Sequence, residues 1–142
     1  MKYYKIMVFI ILAGFTILAN YFNIESCIRG NSPNEIGFIS SILFISIWVC
    51  LSILSSYKTQ KWFIIFSVFY WLLCFVTYIV GVYWTLGSAL ALSLSPLGII
   101  PIYGMAYLAV ENNVMLISGT MLIIIILNII LYFRLNNRRY KK

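Results

Sequence analysis

Long uncharged apolar runs alternate with short polar stretches along the chain, and this alternation dominates the sequence. Four runs lack Asp, Glu, Lys and Arg, and they are residues 6–23, 36–56, 62–84 and 114–133. Each is close to the roughly 20 residues that a helix needs to cross a hydrocarbon core of about 30 Å. Aromatic residues stand at their ends, as they do at membrane interfaces. The pattern predicts an all-α integral membrane protein with four transmembrane helices.

A fifth uncharged stretch, residues 85–110, follows the third run directly and is also long enough to cross a membrane. Pro96 and Pro101 interrupt it, and proline removes a backbone donor and disfavours helix in the residue before it. The prolines therefore predict a break between two short helices, about 86–95 and 102–110. Each would be about 14 Å long, which is half of a bilayer.

The basic residues indicate the orientation, because Lys and Arg concentrate in cytoplasmic loops. With four spans and the N-terminus inside, only Arg29 lies outside, and the basic residues inside are Lys2, Lys5, Lys58, Lys61, Arg134, Arg138, Arg139, Lys141 and Lys142. A fifth span would move the last five to the outside, which the rule disfavours. We therefore predict one polytopic domain over residues 1–142, in the plasma membrane, with both termini and the basic tail 134–142 in the cytoplasm.

In this topology, residues 85–110 begin and end on the outer side. An apolar flap on the outer surface of the bundle is the favoured interpretation, because its leucines share one helical face as in interfacial helices. A re-entrant hairpin comes second, and protein would have to enclose its break, since lipid cannot satisfy exposed backbone groups. A fifth span comes last. The predicted fold is a four-helix transmembrane bundle with an extra apolar helix–break–helix segment, interfacial or re-entrant, on the outer side.

Small and weakly polar residues recur at helical spacing in the second and third runs, which the short loop 57–61 joins into a hairpin. Such stripes let membrane helices approach closely and hydrogen-bond to each other, so packing is the favoured interpretation. A polar pathway or a small-substrate pocket is the alternative. With the one Asn inside the last run, the stripe residues are Ser41, Trp48, Ser52, Ser67, Tyr70, Cys74, Thr77, Gly81 and Asn128.

A second set of candidate residues belongs to the proline-containing segment and its C-terminal edge. These residues are Ser95, Pro96, Gly98, Pro101, Gly104 and Glu111. Glu111 is the best candidate for a functional carboxylate because it adjoins this unusual segment. A helix cap, a partner for a helix dipole or a local ion pair is nevertheless the favoured explanation of this acid.

The composition leaves little room for catalysis. The chain has no His and three acidic residues, Glu25, Glu35 and Glu111. It contains no metal-binding or nucleotide-binding signature, and neither Cys50 nor Cys74 has a neighbouring cation in the sequence that would activate its thiolate. We predict no enzyme activity, no cofactor and no metal. The net charge of +7 is explained by membrane orientation, so we expect no nucleic-acid partner.

By elimination, the sequence favours a small non-enzymatic multi-pass membrane protein, an accessory or protective, immunity-type factor that binds another membrane component. The expected partners are the bilayer, another membrane protein or a second copy, and anionic lipids at the basic tail. A small oligomeric transporter or channel subunit is the alternative, and a holin-like pore former is a third hypothesis. An ion pathway would normally contain an ionisable residue within the membrane, and the four runs contain none.

Overall fold

Helices make up nearly all of the chain that the structure describes. The computed structural model describes residues 2–29, 31–58, 60–83, 88–108 and 112–139. Its elements are α1 (Lys2–Arg29), α2 (Glu35–Tyr57), α3 (Lys61–Tyr83), α4 (Ser88–Tyr103), a 3-10 helix (Gly104–Leu108) and α5 (Asn113–Arg139). None of these ranges contains a strand. The prediction of an all-α bundle is confirmed.

Four of the helices, α1, α2, α3 and α5, are long and apolar enough to cross a membrane, with apolar stretches of 22 to 27 residues. They extend beyond the uncharged runs at one or both ends because no Pro or Gly stops them there. Their outer surfaces carry exposed aliphatic and aromatic side chains, among them Ile17, Phe69 and Ile123. Such wide apolar surface is expected where lipid is the solvent. The chain is a membrane protein.

Contacts between helices show which helix ends lie at the same end of the bundle. Tyr4 of α1 lies 3.5 Å from Ser55 of α2, and Lys61 of α3 donates a hydrogen bond to Asn136 of α5. The start of α1 and α3 and the end of α2 and α5 therefore share one end, which we call the basic end. The opposite end, where α1 finishes at Arg29, is the distal end.

Aromatic rings fill the interior of the bundle. Trp48 of α2 stacks on Tyr70 of α3 with ring centroids 4.5 Å apart, and on Phe63 at 5.8 Å. Phe44, Trp48, Phe63 and Trp71 are each exposed by 2% or less. Each aromatic pair adds about 0.5–1.5 kcal/mol beyond the area that it buries. The predicted hairpin of α2 and α3 is thus held by rings that interlock across it.

The break predicted between Pro96 and Pro101 is wrong, since α4 stays helical through both prolines. Helix geometry changes only at Gly104, where the 3-10 helix begins. Helical donors bond four residues back, so Pro101, which has no N–H, leaves the carbonyl of Leu97 without its usual partner. The hydroxyl of Tyr70 donates to that carbonyl. A neighbouring helix thus supplies the bond that the proline removes, which is how prolines are accommodated within membrane helices.

Gly104 lies against the backbone of α2. A methyl group built on Gly104 would overlap the carbonyl oxygen of Gly37 and lie 2.5 Å from the Ser41 hydroxyl. Only glycine therefore allows the 3-10 helix to sit at this distance from α2.

We predict that Gly104→Ala lowers the free energy of unfolding by about 1–3 kcal/mol, the usual cost of overpacking. Gly119→Ala is the matched control, because a methyl group there meets nothing within 4 Å. The control should be neutral, or more stable by up to about 1 kcal/mol, because alanine favours helix. Thermal unfolding in detergent measures both variants, and equal midpoints would argue against the close approach.

Candidate functional site

Residues 95–104, which we call the inserted segment, lie inside the bundle. Their helix, α4, packs against α1, α2 and α3. Ser95, Gly98, Pro101 and Gly104 are buried, and Pro96 is exposed. This burial does not fit the surface flap that the leucine pattern favours. Four of the predicted candidates therefore lie in the interior, while Glu111 lies outside the described residues.

Three helices each donate one side-chain hydrogen bond to the backbone of the inserted segment. The bonds run from Asn20 Nδ2 of α1 to Pro96 O at 2.7 Å, from Tyr70 Oη of α3 to Leu97 O, and from Ser41 Oγ of α2 to Pro101 O at 2.6 Å. All three acceptors are carbonyls at or beside a proline. Since lipid offers no donors, these bonds fix where the segment sits.

The inserted segment reaches the middle of the bundle. Gly98 faces Cys74 so closely that a methyl group on Gly98 would lie 2.5 Å from the sulfur. Cys74 lies nine residues before Tyr83, the last residue of α3, and Asn20 lies nine residues before Arg29, the last of α1. Nine residues of helix measure about 14 Å, about half of a hydrocarbon core. This depth fits the re-entrant alternative.

Asn23 of α1 is the centre of a buried polar cluster at the distal end. Its Nδ2 lies 2.9 Å from Ala19 O, 3.1 Å from Ser40 Oγ, 3.2 Å from Ser41 Oγ and 3.3 Å from Gly37 O. The amide group has two hydrogens and therefore cannot donate to all four acceptors at once. Its acceptors lie on both α1 and α2. Through Ser41, the cluster continues to the inserted segment.

The candidate set from the sequence lacks Asn20 and Asn23. A signal was available, because Asn20 and Asn23 are three residues apart and so lie on one helical face, with Thr16 four residues before Asn20. Thr16 itself donates to Leu12 O of its own helix at 2.7 Å. A polar row on the first span was thus visible, although nothing in the sequence identified its partner.

The polar stripe predicted on α2, α3 and α5 faces the interior. Ser41, Trp48, Ser52, Ser67, Cys74, Thr77 and Asn128 are buried, and Tyr70 and Gly81 are partly buried. Thr77 and Asn128 donate to carbonyls four residues back in their own helices. Trp48 and Tyr70 stack on each other, as described above. These contacts agree with the packing interpretation of the stripe.

Several buried polar atoms of the site have no hydrogen-bond partner in the described part of the chain. They are Asn20 Oδ1, Asn23 Oδ1, Trp48 Nε1, Ser52 Oγ, Ser67 Oγ, Trp71 Nε1 and Asn128 Oδ1. A buried unsatisfied group costs about 1–3 kcal/mol. All seven groups are neutral, so the interior can offer hydrogen bonds to a neutral group but no charge to an ion.

The described acids lie at the distal end and away from the polar interior. Glu25 pairs with Arg29 at 3.1 Å on the exposed surface, and Glu35 lies 3.5 Å from the hydroxyl of Tyr107. Among the described residues, His, Cys, Asp and Glu form no group of three or more that could hold a metal ion. The candidate site is therefore a neutral hydrogen-bonding site around the inserted segment.

Comparison with known proteins assigns no family to this chain. No protein-family model, curated protein or solved structure matches it. Its function is therefore inferred from its own residues and their arrangement.

We predict that Ser41→Ala loosens the inserted segment, because the variant removes the donor to Pro101 O. Interhelical bonds of this kind contribute about 0.6 kcal/mol on average and up to about 1.7 kcal/mol. Ser118→Ala is the control, since Ser118 bonds only within its own helix, to Val114 O at 2.7 Å and to Met115 O. Hydrogen exchange followed by mass spectrometry should show faster exchange in peptides covering residues 96–104 for Ser41→Ala alone. Equal exchange in the two variants would contradict the assigned bond.

Proposed function

We propose that this protein is a non-enzymatic membrane protein that acts by binding another membrane component, as an accessory or protective, immunity-type factor. It resides in the plasma membrane with both termini in the cytoplasm. The observation that carries the proposal is the filled interior of the bundle, which leaves the outer surfaces as the places where the protein can act.

A transport path or an active-site cavity needs internal space lined by polar or charged groups. In the described part of the chain, the aromatic core and the inserted segment take up the space between the helices. Clefts of about 280 and 330 Å³ lie between helices and are lined mainly by apolar side chains. A cleft of about 240 Å³ near the basic end also includes Ser56 and Arg134. This arrangement favours binding at the surface over passage through the bundle.

The distal end offers a surface suited to a partner. Tyr107, Leu108 and Met115, which we call the distal surface, are exposed by 40%, 59% and 77%. The ring of Tyr107 stacks on Phe38 at 5.4 Å, so the exposed side chains sit on a supported base. Exposed apolar residues on a rigid base are typical of protein interfaces. A membrane protein or membrane-active peptide that approaches from outside would meet this surface first.

A small oligomeric transporter or channel subunit is the second candidate. The observation in its favour is the set of buried, unpartnered polar atoms, of which Ser52, Ser67 and Asn128 lie on three different helices. In an oligomer, these polar groups would line a transport path formed between copies of the chain.

We predict that a photo-activated cross-linking amino acid at Leu108 captures one discrete membrane partner in cells that naturally make this protein. The same residue at Ile126, which is 55% exposed at mid-helix on α5, should react with lipid alone. Cross-linked products are separated by size and identified by mass spectrometry.

Two results would contradict this proposal. One is the same cross-linking pattern at both positions. The other is a solute flux in liposomes that contain the purified protein, above the leak of empty liposomes, which would support the transporter alternative instead.

The predicted orientation has its own measurement. Nine basic residues against one favour a cytoplasmic basic end. We expect a C-terminal alkaline phosphatase fusion to be inactive and a C-terminal fluorescent protein fusion to be bright, because the first requires export and the second requires the cytoplasm. An active phosphatase fusion would overturn the proposed four-span orientation.

A further inference from the structure

A groove of about 330 Å³ runs along the surface between α1 and α3. Its walls include Phe9, Ala13, Thr16, Phe66, Tyr70 and Leu97. Phe9 is 45% exposed and Leu97 is 43% exposed, so the groove faces the surroundings of the bundle. One end of the groove lies near the basic end, and the other is closed by the inserted segment.

Lys5 places a positive charge where the groove meets the basic end. Lys5 lies one helical turn before Phe9, and its Nζ is 5.2 Å from the ring centroid of Trp62. The Trp62 ring is 5.9 Å from the Phe9 ring. Lys58 also lies at the basic end, with its Nζ 4.8 Å from the centroid of the Tyr4 ring. The mouth of the groove is therefore positively charged and bordered by aromatic rings.

The two acids that the structure describes lie far from this mouth. Glu25 is twenty residues further along the same helix as Lys5, a distance of about 30 Å, and it already pairs with Arg29. Glu35 starts α2 at the distal end. Neither of these two described acids is therefore close enough to pair with Lys5.

The distance from Lys5 to the deep end of the groove matches one leaflet of a bilayer. The lining of the groove on α1 begins at Phe9, one turn beyond Lys5. From Lys5 to Thr16 there are eleven residues of α1, or about 16 Å of helix. Half of a hydrocarbon core is about 15 Å. A ligand that fits this site has a negatively charged head group at the membrane surface and a hydrocarbon chain that extends through one leaflet.

We propose that this groove binds an anionic phospholipid, with its phosphate beside Lys5 and one acyl chain along Phe9, Ala13 and Thr16. The aromatic walls contact the chain, and the deep end of the chain reaches Leu97 of the inserted segment. The site differs from the basic tail, since none of the residues that line the groove belongs to 134–142. It is independent of the proposed function and of which side of the membrane the basic end faces.

The test uses the purified full-length protein in detergent, with phosphatidylglycerol and phosphatidylcholine of identical acyl chains as probes. Native mass spectrometry measures the fraction of protein that retains each lipid. We expect the wild-type protein to retain phosphatidylglycerol preferentially. Lys5→Gln should reduce that preference about fivefold, as expected for one surface Lys, and Lys5→Arg should keep it.

Ala13→Trp fills the groove and should abolish retention of both lipids. The controls are Ile126→Trp, which adds a ring to an exposed face of α5, and Arg29→Gln, which removes one exposed charge from the distal end. Both controls should behave as wild type. Lipid-free thermal unfolding midpoints of all variants show that each one is folded.

Equal retention of the two lipids by the wild-type protein would overturn the proposal. So would undiminished retention by Ala13→Trp, or a loss of preference in Arg29→Gln as large as that in Lys5→Gln. A wild-type dimer that Ala13→Trp dissociates would also overturn it, because the groove would then hold a second copy of the chain.

Discussion

A carbonyl placed in hydrocarbon has no water to bond, so the protein itself must supply the donor. In this molecule the constraint is sharpest at the inserted segment, where two prolines remove donors from a helix that lies in the middle of the bundle. The hydroxyl of Tyr70 replaces the donor that Pro101 removes from the carbonyl of Leu97. The hydroxyl of Ser41 and the amide of Asn20 donate to two more carbonyls of the segment. The three donors come from three different helices, so these bonds connect the segment to α1, α2 and α3.

The polar groups in the described interior of the bundle are all neutral. Hydroxyl, amide and indole groups lie among large rings, and the described charged side chains stand at the two ends of the bundle. Burying a neutral hydrogen-bonded group costs far less than burying an ion. The same choice limits the chemistry of the molecule, because the described interior holds no carboxylate, imidazole or ammonium group. It supports the proposal that the protein acts by contact with a partner, and it leaves its cations to interact at the membrane surface.

The four membrane helices and the inward-facing polar stripe could be predicted from the sequence because both depend on local composition and period. The path of the inserted segment could not. Proline rules predict a break at Pro96 and Pro101, and the helix persists because Tyr70, 31 residues before Pro101 in the chain, replaces a missing donor. The leucine pattern favours a surface flap, and the burial of Gly98 against Cys74 depends on a contact between helices that no local pattern reveals. The role of Asn23 could not be predicted for the same reason, because most of its hydrogen-bond acceptors lie on α2.

The contacts of the inserted segment also bear on the order in which the molecule is made. Its three donors lie in α1, α2 and α3, all of which leave the ribosome before α4 does. Chains fold from the N-terminus during synthesis, so the donors are already present when the prolines emerge. α5 comes last and packs against α3 and the 3-10 helix, which encloses the segment from the remaining side. Moving the segment ahead of α1 by circular permutation would expose its carbonyls to lipid before any donor existed. The order of the helices thus places each donor earlier in the chain than the carbonyl that it bonds.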